Sequence, residues 1–435
     1  MSSSRISTLH ARQILDSRGR PTVEVDVTLE DGSAGRASVP SGASTGSSEA
    51  HELRDRDPEW FAGLGVTRAV AHVNTEISDL LCGFDALDQQ AVDAALVEQD
   101  GTANLARLGA NAVLGVSLAV CRAAAASQNT TLYQRIAELA GTEQPVLPMP
   151  MINILSGGLH AGRGMDVQDF LAMPVGAKSI AEAIHHVSRV RSSAAEVMAE
   201  RGLPTLLADE GGLSPALATG ADALELMNEA VRRAGLEPGR DIAVAIDVAA
   251  HSLFDPATGD YHLAREGRRA TAAEMSDMIA DWVRDFPVVS VEDGLDEEDW
   301  PGWKQLTDRL GDRVRLIGDD LFTTNPTRLG RGIEQGCANG VLVKVNQNGT
   351  LSGTLEVIAT ARRAGYAPVI SARSGETEDS FIADLAVGTA AGQIKIGSLR
   401  TSDRLSKYNQ LLRIADEGVE AFDTESWRVS AVAAK

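Results

Sequence analysis

Val288-Val289-Ser290-Val291-Glu292 is a short apolar run that ends in a carboxylate, and the same pattern recurs along the C-terminal part of the chain. Ile242-Ala243-Val244-Ala245-Ile246-Asp247 precedes it, and Val314-Arg315-Leu316-Ile317-Gly318-Asp319 follows it. Val341-Leu342-Val343-Lys344, Pro368-Val369-Ile370-Ser371 and Gln393-Ile394-Lys395 continue the series. The run ends lie 45, 27, 25, 27 and 24 residues apart. Each later gap fits one strand and one helix, and the first also leaves room for a hairpin at Pro256–Gly259. Alternating strand and helix units predict a parallel sheet, and this many favour a closed (β/α) barrel.

The chain before Pro145 has a different rhythm. Thr22-Val23-Glu24-Val25-Asp26-Val27-Thr28-Leu29 alternates apolar and polar side chains, as a half-buried antiparallel strand does. Asp31-Gly32 supplies a turn, and Gly35–Val39 reads as a second strand. From about Glu49 to Gly141 the pattern is helical. The fold class predicted is therefore α/β, with an N-terminal α+β domain over residues 1–140 and a C-terminal (β/α)8 barrel over residues 141–435. The polar tail, Gly418–Lys435, reads as loosely held.

The net charge of −21 and the lack of a basic run argue against a nucleic-acid or anionic-membrane partner. Hydrophobic residues at 43% and charged residues at 23% give an ordinary globular balance. The three cysteines, Cys82, Cys121 and Cys337, fit neither a disulfide framework nor a zinc site, and read as reduced thiols in the cytoplasm. The N-terminal stretch to Ser17 is polar and has no apolar core of the kind a signal peptide needs. Ala110–Ala126 is apolar but interrupted by Asn111, Ser117 and Arg122, so it reads as a packed helix and a poor membrane span.

In a parallel barrel the strand C-termini share one face. Asp247, Glu292 and Asp319 meet there, opposite Lys344, Ser371 and Lys395. Any one carboxylate taken alone is most simply read as a cap for the next helix. Three in succession, each after an apolar run, repel one another unless a cation joins them. All-oxygen ligands favour magnesium over zinc. Two lysines facing the acids suggest a base and a substrate clamp. A lysine must lose its proton to act as a base, and burial and nearby positive charge both help it do so.

Several segments resemble enolase motifs: Asp16-Ser17-Arg18-Gly19-Arg20-Pro21-Thr22-Val23-Glu24, Pro40-Ser41-Gly42-Ala43-Ser44-Thr45-Gly46, Asp209-Glu210-Gly211-Gly212 and Ser290-Val291-Glu292-Asp293. Gly318-Asp319-Asp320-Leu321, Lys344-Val345-Asn346-Gln347 and Arg373-Ser374-Gly375-Glu376-Thr377-Glu378-Asp379 continue the match in one register, from about residue 5 to 415. The resemblance implies an enolase-type barrel and a Mg2+-dependent lyase with two ions per active site. The reaction it implies removes a proton beside a carboxylate and expels water from the neighbouring carbon. Asp247, Glu292 and Asp319 would hold the first ion, and Ser44 a second. Lys344 would be the base, and Lys395 would pair with the substrate carboxylate. Arg373 and Ser374 would hold phosphoryl oxygens, Glu210 would help hydroxide leave, and His160 would lie in a loop that closes over the substrate. The resemblance also implies a small anionic phosphorylated or phosphonylated carboxylate as substrate, and a homodimer.

Departures from that pattern fall in the site itself. Ala372 stands where ordinary enolases have histidine, Asp169 where they have glutamate, and Ser156 where they have asparagine. His251-Ser252-Leu253 replaces Ser-Glu-Phe, Asn348 takes an apolar position, and Ile396 and Leu399 alter the segment after Lys395. The acids, lysines and Arg373-Ser374 remain while the substrate envelope changes. This suits a paralogue that takes a bulkier or more highly charged analogue, such as 2-phosphonoformylglycerate, with Arg163 or Arg400 pairing the extra carboxylate. The alternative is a housekeeping enolase acting on 2-phosphoglycerate. A binding protein without catalysis would not need the acids and lysines together. A racemase or sugar-acid dehydratase would not need a phosphoryl-holding loop and arginine.

Overall fold

The computed structural model describes residues 4–42 and 46–429, so Ser44 lies outside the described residues. The chain opens on a three-stranded antiparallel sheet of β1 (Ile6–Leu15), β2 (Pro21–Leu29) and β3 (Ala34–Ser38), in that order. The alternation in β2 sends Val23, Val25, Val27 and Leu29 onto the helix Ala110–Ser127. Glycines set how close the two layers come. A Cβ on Gly35 would lie 2.2 Å from the Ala119 carbonyl oxygen, and one on Gly115 would lie 2.7 Å from Val25. That helix is long and apolar enough to cross a membrane, but it is 83% buried in the protein, as a packed core helix is.

β1 was not anticipated, because the sequence up to Ser17 reads as polar. It is an edge strand whose register shifts between Ile6 and Thr8, which breaks the alternation that would have announced it. Helix also begins later than expected, at Thr67 rather than near Glu49. The intervening segment is irregular and runs along the barrel mouth.

The barrel closes in the order β4 (Met149–Ser156), β5 (Asp169–Met173), β6 (Ala243–Asp247), β10 (Val288–Glu292), β11 (Arg315–Gly318), β12 (Gly340–Val343), β13 (Ala367–Ser371) and β14 (Gln393–Gly397). A small side sheet, β7 (Phe254–Asp255), β8 (Asp260–Leu263) and β9 (Arg268–Ala270), contains the expected hairpin. The barrel is not wholly parallel: β5 runs antiparallel to both β4 and β6. The cause is the connection. Residues 157–168 cross from β4 to β5 without a full helix, and a short loop returns the chain in the opposite direction. From β10 onward each strand is followed by its helix; Glu292 and Ser371 close their strands, Asp319 and Lys344 directly follow theirs, and Lys395 lies in the middle of β14.

The described part of the tail, residues 418–429, departs from its expectation. Leu147 exchanges backbone hydrogen bonds with the tail, its N–H donating to Ala421 O and its carbonyl accepting from Asp423 N–H, both at 2.8 Å. Arg315 donates to the Ser426 carbonyl at 2.8 Å. Trp427 caps the barrel floor formed by Met149, Met151, Leu171, Ile317, Leu342 and Val369. Composition hid this because the docking rests on two aromatics, Phe422 and Trp427, in an otherwise polar segment. Trp427→Ala is expected to lower stability by about 3 kcal/mol, measured by urea unfolding, with no change in the residues at the opposite end of the barrel.

The N-terminal unit is tied to that opposite end. Ser41 and Gly375 exchange backbone hydrogen bonds at 2.8 and 2.9 Å, Asn346 Nδ2 donates to the Pro40 carbonyl, and Arg122 pairs with Asp379 at 2.6 Å.

Candidate active site

Asp247 and Glu292 end adjacent strands β6 and β10, one opposite the other, and Asp319 follows β11. All three are nine-tenths or more buried. Lys395 reaches across the barrel from β14. Its Nζ lies 2.8 Å from Asp247 Oδ2 and 2.7 Å from both Glu292 oxygens. Lys344 Nζ donates to Asp319 Oδ2. Gln168 and Gln347 each donate a side-chain N–H, to Asp247 at 3.1 Å and to Asp319 at 3.2 Å.

Burial and the neighbouring Asp247 charge push the Glu292 carboxyl well above the usual carboxylate range, despite the lysines. Burial alone would lower both ammonium groups. Asp247 and Glu292 reverse this at Lys395, and Asp319 reverses it at Lys344. The two lysines therefore leave the acid cluster short of positive charge, and a hard divalent cation fits that deficit and that all-oxygen donor set.

Two further acids were missed in the sequence. Asp293 accepts the backbone N–H groups of Asp319 and Asp320 at 2.9 and 2.8 Å and holds that turn in place. Burial, with the Asp319 charge, pushes the Asp320 carboxyl up to about 7. Ligand atoms of Asp293, Asp319 and Asp320 lie within 4.8 Å of one another, as do those of His160, Asp169 and Glu210. Neither grouping is the expected trio, in which Lys395 bridges Asp247 and Glu292 while Lys344 holds Asp319 separately.

The arginine corner depends on both parts of the chain. Arg373 Nη1 lies 3.0 Å from Glu49 Oε2 and 3.0 Å from Asn346 Oδ1. Arg18 Nη1 donates to Ser374 Oγ at 3.3 Å. Beneath them the fully buried Arg404 donates to the carbonyls of Arg373 and Ser374 at 2.6 and 2.7 Å. Ala372 stands at the edge of this corner, 6% exposed, with its N–H on the Lys395 carbonyl.

Two family models match the chain, Enolase, N-terminal domain over residues 6–136 and Enolase, C-terminal TIM barrel domain over residues 144–426. The chain belongs to the enolase family. It is thus an enolase-type lyase, of a family that typically uses Mg2+ and acts on small anionic phosphorylated carboxylates.

Asp169 and Ser156 pair across β4 and β5 on the remaining wall. Asp169 is fully buried, and its Oδ2 lies 3.2 Å from His160 Nδ1. Glu210, 6% exposed, sits beside them. The turn Leu159–Ala161 holds the His160 side chain inward, and Asp209 N–H donates to the His160 carbonyl at 3.2 Å. Arg163 is exposed at φ +60° and lines a side cavity of about 330 Å3 with Met165, Asp166, Phe254 and His262. Arg400 is exposed on the loop after β14. At the mouth, His251 Nδ1 lies 2.8 Å from the buried Asp296.

Burial would lower the His160 imidazolium, but the Asp169 contact outweighs it and raises the ring to about 9. A base whose folded pKa lies above its unfolded value of about 6.5 adds stability that is complete below that value. The contribution is lost as pH rises through 9. Burial also raises the Asp169 carboxyl, which offsets part of this contribution, so magnesium-free protein is expected to lose some stability between about pH 6.5 and 9.5 through this ring. Denaturant unfolding of wild type and His160→Gln at both pH values should show the loss only in wild type.

Proposed function

We propose that this enolase-family lyase dehydrates an analogue of 2-phosphoglycerate with a larger or more highly charged phosphorus end. The best candidate is 2-phosphonoformylglycerate, giving carboxyphosphonoenolpyruvate, a role like that of carboxyphosphonoenolpyruvate synthase in phosphinothricin-type biosynthesis. In this reading Asp247, Glu292 and Asp319 hold one Mg2+ and Ser44 a second. Magnesium would neutralise the negative charge that builds on the substrate carboxylate as the α-proton leaves. Lys344 takes that proton, and Lys395 pairs with the carboxylate. Arg373 and Ser374 hold oxygens on phosphorus, oriented from behind by Glu49 and Arg404. Glu210, His160 and Asp169 serve the end of the substrate from which hydroxide departs. The N-terminal unit, 1–140, covers the mouth of the barrel unit, 141–435, and two chains form a homodimer in the cytoplasm.

The observation that carries the choice of substrate is the coexistence of small side chains with intact machinery. Ala372, Asp169 and Ser156 each replace a longer residue of ordinary enolases. The acids, both lysines and the arginine corner keep their contacts. A working enolase under no new demand has no reason to lose an imidazole at its substrate wall, since one misplaced contact there costs about a hundredfold in rate.

The comparison is direct. The kcat/KM on 2-phosphonoformylglycerate is expected to exceed that on 2-phosphoglycerate by at least about tenfold. Ala372→His is expected to reverse the order by refilling the wall. Efficient turnover of 2-phosphoglycerate with none of the analogue would sink this reading and leave a housekeeping enolase in its place.

A further inference from the structure

We infer that Ser156 and Asn153 are positioning residues that pin Asp169 to the barrel wall, so that its remaining oxygen holds His160 beside Glu210. Their role goes beyond the substrate assignment and rests on the functional reading only for the choice of assay.

A fully buried carboxylate needs a partner for each oxygen. Asp169 Oδ1 accepts from Asn153 Nδ2 at 2.6 Å and from Ser156 Oγ at 2.7 Å. Asn153 Nδ2 also donates to Ser156 Oγ at 3.0 Å, which closes a triangle. The single hydroxyl proton of Ser156 is committed to Asp169, so its oxygen is free to accept from Asn153. Turning the Asn153 amide over would set its oxygen against the carboxylate, and this orientation holds although Asn153 Oδ1 is buried without a partner. Asp169 is left with Oδ2, and that oxygen faces His160 Nδ1.

The triangle is matched to an aspartate. Ser156 and Asp169 are directly opposite on antiparallel β4 and β5. A glutamate at 169 is longer by one methylene and would drive its oxygens into donors already at 2.6 and 2.7 Å. A longer side chain at 156 has no room either. The Gly212 backbone closes over the pair, and a Cβ there would lie 2.4 Å from Ser156 Oγ and 2.8 Å from Asn153 Oδ1. The short acid and the short hydroxyl residue form one unit, and its product is a fixed His160. The turn Leu159–Ala161 sets the path of the loop that bears this histidine, and the Asp169 contact at 3.2 Å sets the orientation of the ring.

A double-mutant cycle separates positioning from plain structure. Ser156→Ala is expected to lower kcat about 10- to 100-fold, with KM within about twofold and a cooperative melt retained. In a His160→Gln background the same change is expected to alter kcat by less than about twofold, because the residue it acts through is gone. Wild-type kcat in Ser156→Ala, or an equal loss in both backgrounds, would overturn the proposal. Asn153→Ala, which removes the other donor, carries the same expectations should Ser156→Ala not fold. Asp169→Glu should be partly rescued by adding Ser156→Ala, and no rescue counts against the match. A substrate-free readout is the 15N NMR signal of His160 Nδ1, assigned with His160→Gln. It should move on Ser156→Ala, and an unmoved signal overturns the inference. If wild type turns over neither 2-phosphoglycerate nor 2-phosphonoformylglycerate, the functional reading fails and the NMR arm still decides this one.

Discussion

Lys344→Ala is expected to lower turnover by about 10^4, the upper range for loss of a positioned general base. Exchange of the substrate α-proton with solvent deuterium should vanish with it. The two losses belong together if, as proposed, Lys344 takes the proton before water leaves. A variant that still exchanged the proton while failing to release product would move the role elsewhere, with Lys395 the first alternative. The setting of Lys344 explains why the loss should be large. Burial favours the neutral amine, and Asp319 opposes it by stabilising the ammonium. In the proposed reading, a cation engaging Asp319 would free the amine to act as a base, which would tie base strength to cation loading. Removing the lysine also strands a buried carboxylate, which costs about 3 to 5 kcal/mol when one partner of a buried pair is lost. Metal-free Lys344→Ala should therefore melt lower than wild type, and Lys344→Ala with Asp319→Asn should recover part of that loss. The rate defect should not recover.

How much of this was legible in the sequence follows from how local each signal is. Asp247, Glu292, Asp319, Lys344 and Lys395 each end or follow an apolar run, so strand and side chain announce one another within a few residues. β5 also ends in apolar residues, but its reversed direction depends on the length of the preceding loop, which composition does not reveal. Glu49 gave no signal, because its partner Arg373 is 324 positions away and the irregular segment that carries it has no periodicity. Arg404 sits in a helix and looks like a surface arginine until burial is known. Asp293 reads as one more acid after Glu292, yet it adopts φ +42° and organises the next turn. The meaning of Asp169 was only half visible. Its shortness showed in the resemblance, but the Asn153–Ser156 contact that uses the shortness requires β4 and β5 to be paired.

Glu292→Gln is expected to split activity from stability. Turnover should fall by about 10^3, the upper range for losing one preorganised electrostatic contact to a charge that develops in the transition state. Stability of the metal-free protein should hold or rise. The sign follows from the carboxyl, whose folded pKa lies well above its unfolded value. An acid shifted upward is least costly when protonated, so it subtracts stability as pH climbs from the ordinary carboxylate range through the folded pKa. Glutamine keeps the shape and can still accept a hydrogen bond from Lys395, and it removes that penalty. Adding Mg2+ then reverses the comparison. At a hundredfold excess over Kd, ligand binding stabilises a native protein by about 2.7 kcal/mol. Wild type should show that gain in a thermal melt, and Glu292→Gln should lose most of it. Chelation should abolish wild-type turnover and remove the gain together. If the variant is instead less stable without metal and equally stabilised by magnesium, Glu292 is a structural partner of Lys395 and the cation lies elsewhere, with Asp293, Asp319 and Asp320 the next group to test. Carboxylates that weaken the empty fold persist only where something else makes use of them, and three at consecutive strand ends around two lysines form the arrangement this measurement puts at risk.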